Sequence, residues 1–468
     1  MRKYFLFITV GVVLFLTTFT AAAVAVALPD IRADFDASIL MVGWVISGYW
    51  LMLTISVALG GRLSDAFGQR MLFMSCLTIF TAGTALCLVA PNMEFLLAFR
   101  FIQGLGGGAL TSIAVGIVAQ EFAESRQRAI GLLMGVYPLG AIAGPNIGGW
   151  IISDWGWKSV FWAILPLLAV ALVITALTLR PGKRKESYLD LPGAFMLAAF
   201  LSAVTVSLSL IKGSGTPWIT VSALLITGIA IIVLFLRREG RIPQPIINLE
   251  FLKGRAFAAS NSFNFLLGSS TVAGGSYVPM YAVAVYNETT LKSGVIMTPR
   301  SIGMLLVSSL IAMYIFRTGY RRPLIAGTLL VGLSHVLLAI QPHHISILGF
   351  ELNDGDFLFI FMAMSGFGLG ACTAIINNIC VDLAPDRAAT ATGIRSMFLN
   401  TGGTVSSVIV ALVLSNNSTD LPHGFFLIYI GIAVVNLISI PLLFAMPGRP
   451  VRSPPAPETP AGANPTKT

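Results

Sequence analysis

Apolar residues arrive in blocks of about twenty, separated by short stretches that gather Arg, Lys, Gly and Pro. A helix of about that length covers roughly 30 Å of hydrocarbon, whereas the strands of an outer-membrane barrel alternate apolar and polar positions. The pattern therefore predicts membrane-crossing helices. Cutting at the charged and Gly/Pro-rich breaks gives about fourteen spans, near 5–28, 40–60, 71–90, 93–118, 128–150, 157–179, 190–211, 217–236, 256–285, 293–316, 323–341, 356–381, 388–414 and 423–446.

Composition agrees with this reading, since 56% of the 468 residues are hydrophobic, 10% are charged and the mean hydropathy is +0.85. A soluble domain carries about a quarter charged residues, so soluble enzymes, extracellular disulfide scaffolds and nucleic-acid binders are excluded. The net charge of +9 has another origin. With the N-terminus in the cytoplasm, inside segments hold most Lys and Arg, among them Arg2, Lys3, Arg62, Arg70, Arg180, Lys183, Arg184, Lys185, Arg237, Arg238 and Arg241. Outside segments hold Arg32, Lys158, Lys212 and Lys292, and Arg100, Arg300 and Arg395 fall within spans. This asymmetry places both ends in the cytoplasm and reports contact with anionic membrane lipid.

Met1-Arg2-Lys3 and Ala25-Val26-Ala27 imitate a signal peptide, but the apolar run between them is too long for one and reads as the first span. Cys76, Cys87, Cys372 and Cys380 fall within spans without metal-ligand spacing and read as small packing residues, so no metal site is expected. The Pro-rich segment 447–468 cannot bury a core and is expected to be disordered. Asn287-Glu288-Thr289 and Asn417-Ser418-Thr419 match the glycosylation sequon on the predicted outer side, a pattern that chance supplies often.

Two inside segments look like copies of one element: Gly61-Arg62-Leu63-Ser64-Asp65-Ala66-Phe67-Gly68-Gln69-Arg70 after the second span, and Arg317-Thr318-Gly319-Tyr320-Arg321-Arg322 after the tenth. The first resembles the G-x-L-x-D-x-x-G-x-R loop of the major facilitator superfamily, and paired copies suit a transporter of two repeated halves. Ala27-Leu28-Pro29-Asp30-Ile31 closing span one, Arg100-Phe101-Ile102-Gln103-Gly104 in span four and the Gly140, Gly144, Pro145, Gly148, Gly149 pattern in span five agree in order. Together they resemble that superfamily's exporters, and the span count narrows the resemblance to the fourteen-helix drug:proton antiporters. The resemblance implies an all-α membrane protein of the major facilitator fold with 14 transmembrane helices. Its parts would be a six-helix bundle in 1–180, two inserted helices in 181–240, a second bundle in 241–446 and the tail 447–468.

Gly140, Gly144 and Gly148 recur every fourth residue and line one helix face, which ordinarily means close helix packing. The resemblance implies instead an exporter's outer gate, with Pro145 disturbing the helix locally. Gly61, Arg62, Asp65, Gly68 and Arg70 would form a cytoplasmic latch in which Asp65 pairs with an arginine or a helix end; a solvated loop charge is the plain alternative. Arg100 sits within the bilayer and needs an interior partner, for which Asp30 and Asp34 are the candidates. That pair is either a static ion pair or, as the resemblance implies, a proton-linked switch. His335 could carry a proton or simply pack. Candidates for the substrate cavity are Thr20, Gln103, Asn261, Asn264, Arg300, Asn377, Asn378 and Arg395, although helix-to-helix hydrogen bonds explain the asparagines equally well and Arg395 could snorkel to the surface.

Exporters of cationic drugs typically carry a mid-membrane acid in span one, where this chain has Thr20. A cavity poor in carboxylates suits neutral, amphiphilic or anionic compounds. The leading expectation is a proton antiporter that exports hydrophobic or amphiphilic small molecules, without cofactor, covalent chemistry or nucleic-acid partner. The resemblance implies a monomer in a cytoplasmic membrane. A dedicated exporter of a lipid, fatty acid or endogenous metabolite is the alternative within transport. A non-transporting membrane sensor that keeps the fold is the alternative outside it.

Overall fold

A computed structural model describes residues 2–179, 190–211, 218–242, 253–343, 345–347, 350–384 and 388–449; the side chains of a few helical positions, Arg62 and Asp65 among them, lie outside that description. The segment predicted to be a disordered tail falls almost wholly outside the described residues. Among them, 13 helices are long and apolar enough to cross a membrane. In chain order, spans one to eight are Arg2–Val26, Ile39–Phe67, Gln69–Leu88, Met93–Glu121, Arg126–Trp155, Ser159–Thr178, Leu191–Leu210 and Trp218–Glu239. Spans eleven to fourteen are Arg321–Ile340, Asp354–Asp382, Ala388–Asn416 and Leu421–Phe444.

Spans nine and ten depart from unbroken helices. Span nine runs as an α-helix over Arg255–Gly268, widens into a π turn over Ser269–Ala273 and resumes as Val278–Tyr286. Gly274-Gly275 and Pro279 explain why the regular ladder is lost there, since two glycines weaken a helix and proline removes a donor. Span ten divides into Thr290–Val295 and Thr298–Thr318, with Pro299 in the first turn of the second piece. Similarly, Pro29 sits at the start of a separate short helix, Leu28–Asp34, beyond the end of span one. The only strands among the described residues, Ile345–Ile347 and Phe350–Leu352, form a small antiparallel pair between spans eleven and twelve.

At the end of the bundle that carries Asp30, helix starts expose orphan N–H groups and polar caps receive them. Ser38, Asn92, Thr289 and Asp420 accept from Met41, Phe95, Lys292 and His423, opening spans two, four, ten and fourteen. At the opposite end, Arg2 anchors span one to Glu121 at 2.8 Å and to the Thr178 carbonyl at 2.6 Å. Two glycines stop helices there at positive φ: Gly68 (φ 88) after span two and Gly319 (φ 71) after span ten. A left-handed stop without a Cβ penalty at equivalent places in both halves is what the paired sequence copies encode.

The repeat is visible in the packing. Span one packs on five and six, two on four, and three on four and six. Adding eight gives the second set: nine packs on thirteen and fourteen, ten on twelve, and eleven on twelve and fourteen. The halves meet where span two lies along thirteen and span five meets ten. Spans seven and eight pair with each other, and span seven leans on spans two and thirteen, consistent with an inserted hairpin. Asp190, which caps span seven, holds Arg238 of span eight at 2.9 Å. Burial pushes the Asp190 carboxyl up, but the Arg238 and Gly193 hydrogen bonds and the Arg238 charge outweigh it and hold the group below its ordinary range.

Candidate functional site

Arg100 lies within span four with 0% exposure. Its guanidinium sits 4.2 Å over the Tyr49 ring, donates through Nη1 to Gln103 Oε1 and through Nε to the Val45 carbonyl at 3.4 Å. Gln103 in turn donates to Thr84 Oγ1 at 2.7 Å, while Arg100 Nη2 has no hydrogen-bond partner. The charge is therefore balanced by an aromatic face and by dipoles rather than by an anion. The expected pairing with Asp30 or Asp34 is not made. Pro29 starts a new helix that carries both acids along the rim of the bundle, whereas Arg100 lies about two turns, roughly 10 Å, inside the start of span four. There Asp34 accepts from Trp157 Nε1 at 3.0 Å and Asp30 accepts from Thr290 Oγ1 at 3.4 Å.

The glycines of span five face span one, within their own half. A Cβ on Gly140 would lie 2.6 Å from the Phe15 carbonyl, on Gly144 2.7 Å from the Phe19 carbonyl, and on Gly148 2.6 Å from Ala23 Cβ. The other face of the same motif meets the second half. Pro145 has no N–H, which leaves the Ala141 carbonyl without its helical donor; Ser301 of span ten reaches that carbonyl at 3.5 Å. Thr298 donates to Asn146 Oδ1 at 2.8 Å, and Gly294 backs onto the Pro145 carbonyl while Gly149 meets Leu291. The stripe thus packs span five, as plain helix packing requires, and also presents a seam to span ten.

Thr290–Asp30, Thr298–Asn146 and Ser301–Ala141 are the hydrogen bonds that join the two halves among the described residues, and all three lie in the part of the molecule nearer Asp30. Toward the other end of span five, side chains on Gly131 or Gly135 would meet open space, as would one on Gly393 in span thirteen. At the joined end, Asp30, Asp34, Trp157, Glu288 and Thr290 line an open cleft of about 810 Å³. Burial raises the Asp30 carboxyl above its ordinary value, and the Thr290 hydrogen bond only partly offsets this.

The predicted inside loop is helical through Phe67, so Gly61, Arg62 and Asp65 occupy the last turns of span two, with the Arg62 and Asp65 side chains outside the described residues. Arg70 donates to the Ala176 carbonyl at the end of span six at 2.9 Å. Thr20 is fully buried and returns its hydroxyl to the Leu16 carbonyl at 2.6 Å. Arg300 donates through Nη2 to the Ser270 and Thr271 carbonyls, each at 2.9 Å. It thus ties span ten to the π turn of span nine through main-chain carbonyls, a supporting role that the sequence did not suggest. His335 Nδ1 lies 2.7 Å from the Val331 carbonyl of its own helix.

Asn261 and Asn264 are fully buried and donate to the Phe257 and Ser260 carbonyls at 2.9 and 3.2 Å; Asn377 and Asn378 are half-buried in span twelve. Arg395 is partly exposed, with Nε and Nη1 shielded from solvent and without partners. Residues that the sequence reading missed include Tyr49, Asn146, Thr290, Thr298 and the Asn436–Ser270 pair at 2.7 Å. Asn146 was discoverable beside Pro145; the others pair across spans that only the fold brings together.

Two repeated bundles sealed along one seam, with buried polar groups inside each, are the architecture of a secondary transporter. The chain belongs to the Major Facilitator Superfamily, whose family model matches residues 10–340 and again 265–467. It is 28% identical over 404 residues to the multidrug resistance protein B homolog of Mycobacterium tuberculosis, covering 84% of this chain and 72% of that one. It is 27% identical over 417 residues to the multidrug transporter protein MdtP of Bacillus subtilis (88% and 75%), and 26% identical over 394 residues to the riboflavin transporter RibZ of Clostridioides difficile (82% and 82%). The fold is shared with a POT family transporter at a TM-score of 0.69 and 16% identity, covering 92% and 94% of the two chains. The nucleoside transporter NupG is also similar, at 0.63 and 14%, covering 94% and 98%. This is a multi-pass membrane transporter of the multidrug exporter-like kind that moves small molecules.

Proposed function

We propose that the chain exports hydrophobic or amphiphilic compounds by proton antiport, alternating between states open at either end. The basic Arg2 end faces the cytoplasm and the Asp30 end faces outward. The observation that carries this reading is the placement on the Asp30 side of all three hydrogen bonds between halves among the described residues. That is the pattern of an inward-open state whose outer seam must part for release. The multidrug names of the relatives support the substrate class. The riboflavin transporter among them supports a second reading, a dedicated metabolite exporter.

Asp30 is the proton-sensitive part of the outer seam. It shares its cleft with Asp34 of its own helix and with Glu288 of the Glu288–Lys292 ion pair (2.7 Å) of the other half, while Arg32 on the same helix and Asp36 just beyond it line a neighbouring cleft. Its carboxyl is raised, so the closed seam is favoured while Asp30 is protonated and loses that contribution as pH rises through the raised value. Outside acid therefore drives closure. The expected result for Asp30→Asn is a seam whose closure no longer depends on outside pH, read by labelling of an engineered cysteine at Thr298, half-buried against Asn146 in the closed seam, across a pH series. The function itself is tested by dye movement in proteoliposomes under an imposed pH gradient. Gradient-dependent export supports it, and movement indifferent to the gradient contradicts proton coupling.

A further inference from the structure

We infer that Asn261, Asn264 and Arg395 form a recognition site, between spans nine and thirteen, for an organic anion that carries a hydrogen-bond donor beside its acidic group. The inference deepens the export reading and rests on it. The two spans run in the same direction and touch closely: a Cβ on Gly268 would lie 2.6 Å from the Gly403 nitrogen and 3.0 Å from the Gly402 carbonyl carbon. Stepping about two turns back, roughly 10 Å, from Gly268 and from Gly402 brings Asn261 and Arg395 to one level. Asn261 and Asn264 share with Gly268 the helix face that meets span thirteen, since they precede it by intervals that return to one side of a helix.

At that level several shielded polar atoms are unfilled. Asn261 and Asn264 have 0% exposure, and their amide nitrogens are already committed to their own helix. Both Oδ1 atoms are left as acceptors without a donor, and Arg395 Nε and Nη1 are donors without an acceptor. No carboxylate among the described residues forms an ion pair with Arg395; the group within its electrostatic reach is Cys380, and Asp382 on the neighbouring span accepts from Tyr320 at 2.5 Å. Unfilled buried hydrogen-bonding groups are costly, most of all around a cation. A ligand completes this set if an anionic oxygen meets the guanidinium while an adjacent N–H or O–H meets the asparagine oxygens. A permanent cation fits neither demand.

The test is calorimetric titration of the purified full-length chain with three probes: N-octanoylglycine, its methyl ester, and N-octanoylsarcosine, which keeps the acid but lacks the amide N–H. N-octanoylglycine is expected to bind at least about tenfold more tightly than either relative. Arg395→Gln is expected to remove the advantage over the ester, and Asn264→Leu the advantage over the sarcosine. Thermal unfolding checks that each variant is folded, and the Asn264 variant serves should Arg395→Gln fail to fold. Equal binding of acid and ester, or an acid affinity unchanged in both folded variants, overturns the inference. A chain that exports a neutral dye under a pH gradient yet binds the three probes alike refutes this site and leaves export standing; selective binding without any transport does the reverse.

Discussion

Arg100→Leu is expected to lower gradient-driven transport by about 100-fold, near the upper end of coupling energies between a switch and its site, without lowering the unfolding temperature. The argument comes from what surrounds the guanidinium. A fully buried cation held by the Tyr49 ring, Gln103 and one backbone carbonyl, with Nη2 unfilled and no carboxylate among the described residues paired with it, is a poor contributor to stability. Replacing a buried ion pair by apolar side chains of similar size is often neutral or stabilising, and a buried cation without an anion has still more desolvation cost to recover. A residue kept only as a brace would show the opposite, lost stability with transport lowered merely in proportion to folded protein. Arg100→Lys is expected to fall nearer leucine than arginine, since an ammonium lacks the flat face that stacks on Tyr49. Transport per folded molecule and thermal unfolding, measured on the same preparations, decide the matter.

Gly294→Leu is the second large effect. Gly294 backs onto the Pro145 carbonyl, so any side chain there collides with main chain that cannot swing aside. Forcing extra volume into such a contact costs typically about 1–3 kcal/mol, which would shift the balance against the closed seam by about five- to 150-fold. The collision exists only when span five and the Thr290–Val295 helix are together, so the outward-open state escapes it. Transport is expected to fall by about tenfold or more, while a cysteine at the half-buried seam position Thr298 becomes more reactive. A fall in transport with unchanged reactivity would mean that the substitution acts through folding instead. Gly144→Leu provides the contrast: it collides with the Phe19 carbonyl inside the first half and is expected to lower stability in every state.

Much of the fold was legible because its cause is local. Blocks of about twenty apolar residues, each ended by charge or glycine, fix the spans whatever they pack against. Gly68 and Gly319 marked equivalent helix stops, and the Gly140, Gly144, Gly148 stripe announced a close helix contact that the structure supplies with span one. What the chain could not announce depends on partners distant in sequence. Arg100 suggested an acid because the sequence offers Asp30 and Asp34, yet the ring that receives it is Tyr49 on another span. Arg300 looked like a ligand group, but its nearest partners are carbonyls of Ser270 and Thr271, which every residue possesses and no side-chain pattern advertises. The sequence around the break in span nine shows Gly274-Gly275 and Pro279, whereas the contact of the π turn ahead of them with the guanidinium of span ten appears only in the fold.

The central claim is that the seam between spans five and ten must open for substrate to leave. Asn146→Cys/Thr298→Cys tests it most directly, because these side chains already touch across the seam at 2.8 Å. Joined by a short bis-methanethiosulfonate bridge in proteoliposomes, with each single variant as control, the pair is predicted to lose gradient-driven export and to regain it on reduction. Export that continues at the uncross-linked rate while the bridge is intact would contradict the account.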